Sequence, residues 1–146
     1  MRKHKLVLLL LPLLLAGCFS KVETQGLQFL VGKEVNNNAP VALDLVAVSD
    51  PGLLLKLGKL SAWQWFEGRK QLQQDNPFHL QVWSWEIVPA SSLERFELPS
   101  SARDAYGILL FANYSTPGLH RARLGPFAEV LLQLEKNDMQ VRVIGD

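Results

Sequence analysis

The sequence contains a single cysteine, Cys18, among 146 residues, and this excludes a framework of internal disulfides. Its 15 basic and 14 acidic side chains nearly cancel, so it lacks the strongly basic face that nucleic acids require. The apolar run over residues 6–15 is about half the ~20 residues of a membrane-spanning helix, and no other apolar run approaches that length. We therefore expect one domain with a hydrophobic core and no nucleic-acid partner.

Residues with catalytic or metal-binding chemistry are also scarce. Beyond the N-terminal region the only histidines are His79 and His120, and no spacing of polar residues is typical of metal ligands. The chain has no Gly-rich phosphate loop and no Gly-x-Ser-x-Gly elbow for a nucleophile. We interpret both histidines as surface or hydrogen-bonded residues, and we expect no enzymatic activity, metal, cofactor or small-molecule substrate.

The N-terminal region has the parts of a secretory signal peptide. A basic start, residues 1–5, precedes the apolar run Leu6–Leu15, which is interrupted by Pro12. Leu15-Ala16-Gly17-Cys18 then resembles the lipobox of bacterial lipoproteins. The resemblance implies that Cys18 receives a diacylglyceryl thioether, becomes the mature N-terminus and bears three acyl chains. The alternative is an ordinary signal peptide followed by an incidental cysteine.

The residue after the cysteine bears on the membrane in which the protein resides. In Gram-negative lipoproteins a residue other than Asp at this position permits sorting to the outer membrane, and here the residue is Phe19. The resemblance implies an outer-membrane lipoprotein that faces the periplasm. The expected organisation is a signal peptide over residues 1–17, a lipidated polar tether over 18–26 and a β-domain over 27–146.

Alternating hydrophobicity predicts seven or eight short strands, which favours an all-β fold of the sandwich type, with a barrel as the alternative. In the second strand, Val41, Leu43 and Leu45 share one face, and we expect Asp44 on the other face to meet water or a sheet edge. The predicted strands span residues 27–31, 41–48, 80–88, 93–98, 105–114, 119–124, 128–135 and 139–144.

One inserted helix is predicted around residues 61–75. Ser61 and Gln64 have the spacing of a capping box, and Trp65 begins an apolar stripe along one side. Arg69 lies on that stripe, and we expect its methylenes to cover it with the charge outside. The preceding segment, residues 53–60, fits either a short strand or a helical turn.

Asn36, Asn37 and Asn38 precede Ala39-Pro40 between two apolar runs. Asparagine tolerates left-handed backbone angles and proline fixes φ, so the segment is predicted to be a loop. It is either a plain connection or a polar recognition loop on a rigid scaffold.

The order of these features resembles the outer-membrane lipoproteins of type VI secretion systems, the TssJ family. The resemblance covers most of the mature chain, although here the loop after the first strand is compressed and Asn113-Tyr114 stands where an Arg-Asp is common. The matching features are the lipobox, the Asn-rich loop leading into residues 41–48, the pair Trp65-Phe66, the run 85–89 and the late apolar run 108–114.

The resemblance implies a transthyretin-like β-sandwich with an added helical element. It also implies that the protein anchors an envelope-spanning complex by holding the periplasmic domain of the inner-membrane protein TssM. We place the partner contact on Asn36, Asn37 and Asn38 as a hypothesis. Two alternatives remain: a pilotin or chaperone that escorts an outer-membrane secretion component, and a ligand-sensing lipoprotein with a pocket lined by Trp83 and Trp85.

Overall fold

A computed structural model describes residues 21–144 of the chain. The predicted signal peptide, the lipidation site Cys18 and the sorting residue Phe19 lie outside these residues. Within the described range, no helix is both long and apolar enough to cross a membrane. From Val22 onward the predicted tether is held by the domain, because its backbone bonds to residues 105 and 128.

The described residues contain eight strands in two four-stranded sheets, which confirms the β-sandwich and excludes the barrel. The strands are β1 (Gly26–Val31), β2 (Val41–Val48), β3 (Leu80–Ile87), β4 (Phe96–Glu97), β5 (Gly107–Ala112), β6 (Arg121–Leu124), β7 (Glu129–Leu134) and β8 (Met139–Val143). The first sheet has the order β4-β1-β7-β8, with β1 and β7 parallel, and the second has the antiparallel order β3-β2-β5-β6.

The strand predicted over residues 93–98 is shorter than expected. Only Phe96 and Glu97 pair, with Leu27 and Gly26 of β1, so β4 is two residues long. Phe96 and Leu98 nevertheless point inward, since both pack in the core between the sheets.

The space between the sheets is filled by aliphatic side chains and closed along one side by aromatic rings. Phe96 contacts both Trp83 and Trp85, with ring centroids 5.7 and 5.1 Å apart, and Phe29 lies 5.6 Å from Trp85. The two tryptophans thus pack on phenylalanine rings at the margin of the core. Such offset and edge-on ring contacts add to the stabilisation from apolar burial.

The structure has two α-helices in the described region where the sequence predicted one. Helix α1 (Pro51–Leu57) forms because the Asp50 carboxylate accepts from the backbone N–H of Leu53 at 2.6 Å, with Pro51 at a favourable first position. Helix α2 (Ala62–Asp75) has the predicted capping box between Ser61 and Gln64. A 3-10 turn, Ser100–Asp104, follows β4, and the turn Val35–Asn38 between β1 and β2 has a left-handed backbone.

Both helices pack on the outer face of the second sheet and form a second hydrophobic core. Trp65 of α2 stacks on Phe111 of β5 with the ring centroids 5.0 Å apart, over Val46 and Val48 of β2. The inner faces of β2 and β5 contribute to the core between the sheets. These two central strands are therefore buried on both faces.

The expectation that Asp44 faces water is wrong, because α2 covers that face of β2. Its carboxylate is fully buried and accepts hydrogen bonds from Trp65 Nε1 at 2.8 Å and Arg69 Nη1 at 2.7 Å. The expectation for Arg69 is also wrong in direction, since its guanidinium turns inward to this carboxylate. A buried charge needs such partners, because burial removes its hydration.

Replacing Arg69 tests how much the helix layer depends on this pair. Arg69→Met leaves the buried Asp44 carboxylate without its cation, and we expect unfolding free energy to fall by about 3 kcal/mol. Urea unfolding of the mature domain measures the change. Lys70→Met, on the exposed face of the same helix, is the control and should change stability by less than about 0.5 kcal/mol.

A second substitution separates the charge from simple loss of packing. Asp44→Asn combined with Arg69→Met removes both charges while an amide oxygen still accepts from Trp65, so stability should recover above that of Arg69→Met alone. A double variant no more stable than the single variant would contradict the buried-charge explanation.

Candidate partner-binding end of the sandwich

Three connections meet at the end of the sandwich opposite to the start of β1. Residues 32–40 follow β1, residues 113–120 join β5 to β6, and residues 135–138 join β7 to β8. They meet because β1 and β7 run parallel, so that both strands end on the same side. We call these three segments the distal loop cluster.

The asparagine run has an unusual backbone that explains its composition. Asn36, Asn37 and Asn38 all have positive φ, at 47°, 53° and 64°. A left-handed backbone costs most L-residues roughly 1–2 kcal/mol each, whereas asparagine tolerates it through local hydrogen bonding. The three asparagines therefore serve the shape of the loop, whichever role their amides have in recognition.

The structure divides the three predicted partner-binding residues into two classes. Asn36 is buried, and its amide donates to the Pro40 carbonyl at 2.9 Å while its oxygen accepts from Ser115 N at 2.7 Å and Ser115 Oγ at 2.9 Å. Asn37 and Asn38 are exposed. Asn36 thus ties the first loop to the second, and the amides accessible to a partner are those of Asn37 and Asn38.

The second loop is tied to the third by side chains bonding to backbone. Thr116 Oγ1 donates to the Asn137 carbonyl at 2.9 Å, and the Tyr114 hydroxyl donates to the Asp138 carbonyl at 2.9 Å. Burial raises the pKa of the Tyr114 phenol far above its ordinary value, so the hydroxyl stays protonated as a donor. These bonds hold the β7–β8 turn against the β5–β6 loop.

His120 completes the connection between these two loops. Its Nε2 lies 2.7 Å from the Thr116 carbonyl and its Nδ1 lies 2.9 Å from an Asp138 carboxylate oxygen. Both partners are oxygen atoms, so the ring lies between the second and third loops with a polar contact on each side. Gly118, at φ 156°, provides the space, since a Cβ there would lie 2.8 Å from the imidazole. The interpretation of His120 as a hydrogen-bonded residue is confirmed.

His79, the other histidine interpreted from the sequence, does not join the distal loop cluster. His79 is exposed near Ser49 at the opposite end of the sandwich, so the two histidines are far apart in the fold. Arg121 donates to the Leu60 carbonyl at 2.7 Å, while Arg123 is exposed. Among residues 21–144, no group of three or more His, Asp or Glu side chains is placed to hold a metal ion.

Two exposed apolar side chains at this end, Leu119 within the distal loop cluster and Trp63 beside it, were not identified from the sequence. Trp63 is 65% exposed and Leu119 is 59% exposed, and a hydrogen bond of 2.8 Å from Ala62 N to the Leu119 carbonyl holds their segments together. Exposed tryptophans are frequent anchors of protein interfaces. The position of Trp63, away from the Trp65 side of α2, was the one sequence signal for its exposure. The end therefore offers a rigid surface with amide and aromatic groups.

The fold is similar to solved structures of type VI secretion components. Pseudomonas aeruginosa TssJ1, a type VI secretion lipoprotein, aligns with a TM-score of 0.66 and 14% identity over 85% of this chain and 98% of its own. Serratia marcescens Lip, a membrane-bound component of the type VI secretion system, gives 0.57 and 12% over 80% and 95%. A chain of a type VI membrane complex gives 0.61 and 14% over 84% and 99%.

These similarities confirm, at the level of the fold, the resemblance to the TssJ family that the sequence indicated. No family model matches the chain, and no curated protein matches it in sequence. The similarity is therefore in the three-dimensional arrangement. The strands are short and have only weak sequence motifs, so the fold is preserved better than the sequence.

Substitutions in the asparagine run test the division between Asn36 and its neighbours. Asn36→Ala removes three hydrogen bonds, leaves Ser115 N–H unpaired and places alanine at positive φ, so we expect a loss of about 3 kcal/mol of stability. Asn38→Gly keeps the backbone conformation and should cost less than about 1 kcal/mol. Thermal or urea unfolding measures both, and equal losses would contradict a specific role for Asn36.

Proposed function

We propose that this chain is a lipoprotein of a type VI secretion membrane complex. It is anchored in the outer membrane by acyl chains on Cys18 and faces the periplasm. Its distal loop cluster binds the periplasmic domain of an inner-membrane component. In the TssJ family this inner-membrane component is TssM. The protein acts by binding and anchoring, without catalysis.

The observation that carries the proposal is the match of nearly whole domains. The alignment covers 98% of TssJ1 and 85% of this chain, and the uncovered part is about the length of the lipobox-bearing leader. A lipobox followed by this fold is the combination found in a type VI lipoprotein. Each buried acyl CH₂ contributes roughly 0.8 kcal/mol, so several acyl chains give a stable anchor.

The construction of the distal loop cluster supports a role in binding a protein. Its loops are fixed to one another by Asn36, Tyr114 and His120, so little conformational entropy is lost when a partner docks. The exposed groups are Asn37 and Asn38 of the cluster and the neighbouring Trp63 of α2, and they provide hydrogen-bonding amides and one large aromatic surface. Such a combination is typical of a protein interface.

Lipidation is tested by metabolic labelling. Cells that express the full chain with labelled palmitate should incorporate the label, and Cys18→Ser should abolish incorporation and release the protein from the membrane fraction. The matched control is Cys18→Ser combined with Ser20→Cys, which retains one thiol two residues away and should not restore the label. Labelling that survives Cys18→Ser would refute the anchor.

Partner binding is tested at the exposed groups only. Trp63→Ser should raise the Kd for the periplasmic domain of the inner-membrane component by about 10-fold or more, as expected for an interface tryptophan. The double variant Asn37→Gly, Asn38→Gly removes both side-chain amides and keeps the left-handed backbone. An increase in its Kd would therefore reflect the loss of amide contacts with the partner. Titration calorimetry measures each Kd.

Phe78→Ser is the control for these variants, because Phe78 is an exposed aromatic residue at the opposite end of the sandwich. It should leave the Kd unchanged. Unchanged binding by all distal variants would contradict the assignment of the interface. Stable co-purification of a secretin subunit in place of the inner-membrane component would favour the pilotin alternative.

A further inference from the structure

The end of the sandwich where the described chain begins is fixed almost from its first residue. Val22 N donates to the Ala105 carbonyl at 3.0 Å, and Gln25 N donates to the Ala128 carbonyl at 2.8 Å. Thr24 is buried, and its hydroxyl donates to the Gly125 carbonyl at 3.4 Å. The backbone around residues 22–25 is therefore part of the domain, and its position relative to β5, β6 and β7 is set.

This attachment limits how far the domain can lie from a lipidated Cys18. Three peptide units separate Cys18 from Lys21, so their Cα atoms are at most about 11 Å apart. The headgroup layer on one side of a bilayer is roughly 5–8 Å thick. An acylated cysteine lies at the inner boundary of that layer, so Lys21 lies in the layer or just outside it. The N-terminal end of the sandwich must then be next to the membrane surface.

Two exposed phenylalanines lie at this same end. Phe78 is 90% exposed and Phe127 is 45% exposed. Phe127 directly precedes Ala128, which binds Gln25. The second sheet locates Phe78 at this end, because the carbonyl of the next residue, His79, accepts a hydrogen bond from Ser49 N just after β2. Sheet order puts β3 two strands from β5, about 10 Å from the Ala105 attachment.

The charges at this end favour aromatic insertion over electrostatic attraction as the source of membrane contact. Lys21 pairs with Asp104 at 3.0 Å, and both are exposed. Arg103 and Arg123 add positive charge, and Glu23, Asp50 and Asp75 offset it. Because these groups together have no excess of positive charge, electrostatic attraction to anionic lipids is weak. Burial of the two phenylalanine rings in the interfacial layer is the larger contribution.

We propose that the N-terminal end of the sandwich lies flat on the lipid surface, with Phe78 and Phe127 inserted among the headgroups. The occupant of this surface is the bilayer in which the protein is anchored. The inference rests on the lipid anchor of the proposed function and adds an orientation to it. Contact at two rings in addition to the acyl chains fixes the tilt of the domain. The distal loop cluster then points away from the membrane.

Site-specific fluorescence in vesicles tests this orientation. Because lipidation consumes the thiol of Cys18, a cysteine introduced elsewhere can be labelled alone. Phe78→Cys, Phe127→Cys and the distal control Leu119→Cys are prepared as full lipoproteins, labelled with bimane and reconstituted in phosphatidylethanolamine–phosphatidylglycerol vesicles. Lipids with a nitroxide near the headgroup then quench labels that contact the bilayer. Unfolding midpoints near that of the unsubstituted protein establish that each variant is folded.

The expected result is strong quenching at positions 78 and 127, severalfold greater than at position 119. Equal and weak quenching at all three positions of a lipidated protein would overturn the orientation and leave the anchor intact. Absence of lipid on Cys18, seen by intact-mass measurement, would refute the anchor and this inference with it. Labels at 78 and 127 that are shielded only when a partner protein is added would also overturn it, because that end would be a protein interface.

Discussion

The burial of strands β2 and β5 on both faces is the constraint on which the rest of the structure depends. One face of this strand pair supplies the core between the sheets, and the other supplies the core under α1 and α2. The helix layer must therefore cover a face that includes the Asp44 carboxylate. Trp65 and Arg69, one helical turn apart, make that burial tolerable by donating hydrogen bonds to it.

The two ends of the sandwich are connected by a strand that spans the domain. β1 begins beside the fixed residues 22–25 and leads through residues 32–35 to the asparagine run, and its six residues cover about 20 Å. Parallel pairing with β7 holds it along its whole length. In the proposed function, a pull between membrane and partner would pass along β1 and be resisted by many hydrogen bonds at once. This geometry suits a protein that anchors.

Much of the fold was predictable from the sequence because its signals are local. The bounds of β2 were predicted as observed, and those of β3 to within one residue, since alternation and flanking turn residues define short strands. The capping box at Ser61 was also correct. The prediction for Asp44 was wrong because a single polar residue was taken as evidence that its face of β2 is exposed to water. Val46 and Val48 share that face, and they were the available sign that it is covered.

The sequence by itself determined most of the strands, helix α2 and the loop at the asparagine run, because turn residues and caps act over a few neighbouring positions. Only the tertiary structure decided that Asn36 bonds to Ser115, that His120 bonds to Asp138, and that Phe78 and Phe127 share one end. These relations depend on which strands pair and in which direction. Residues 79 positions apart have no local pattern that reveals their contact, since packing of the whole chain creates it.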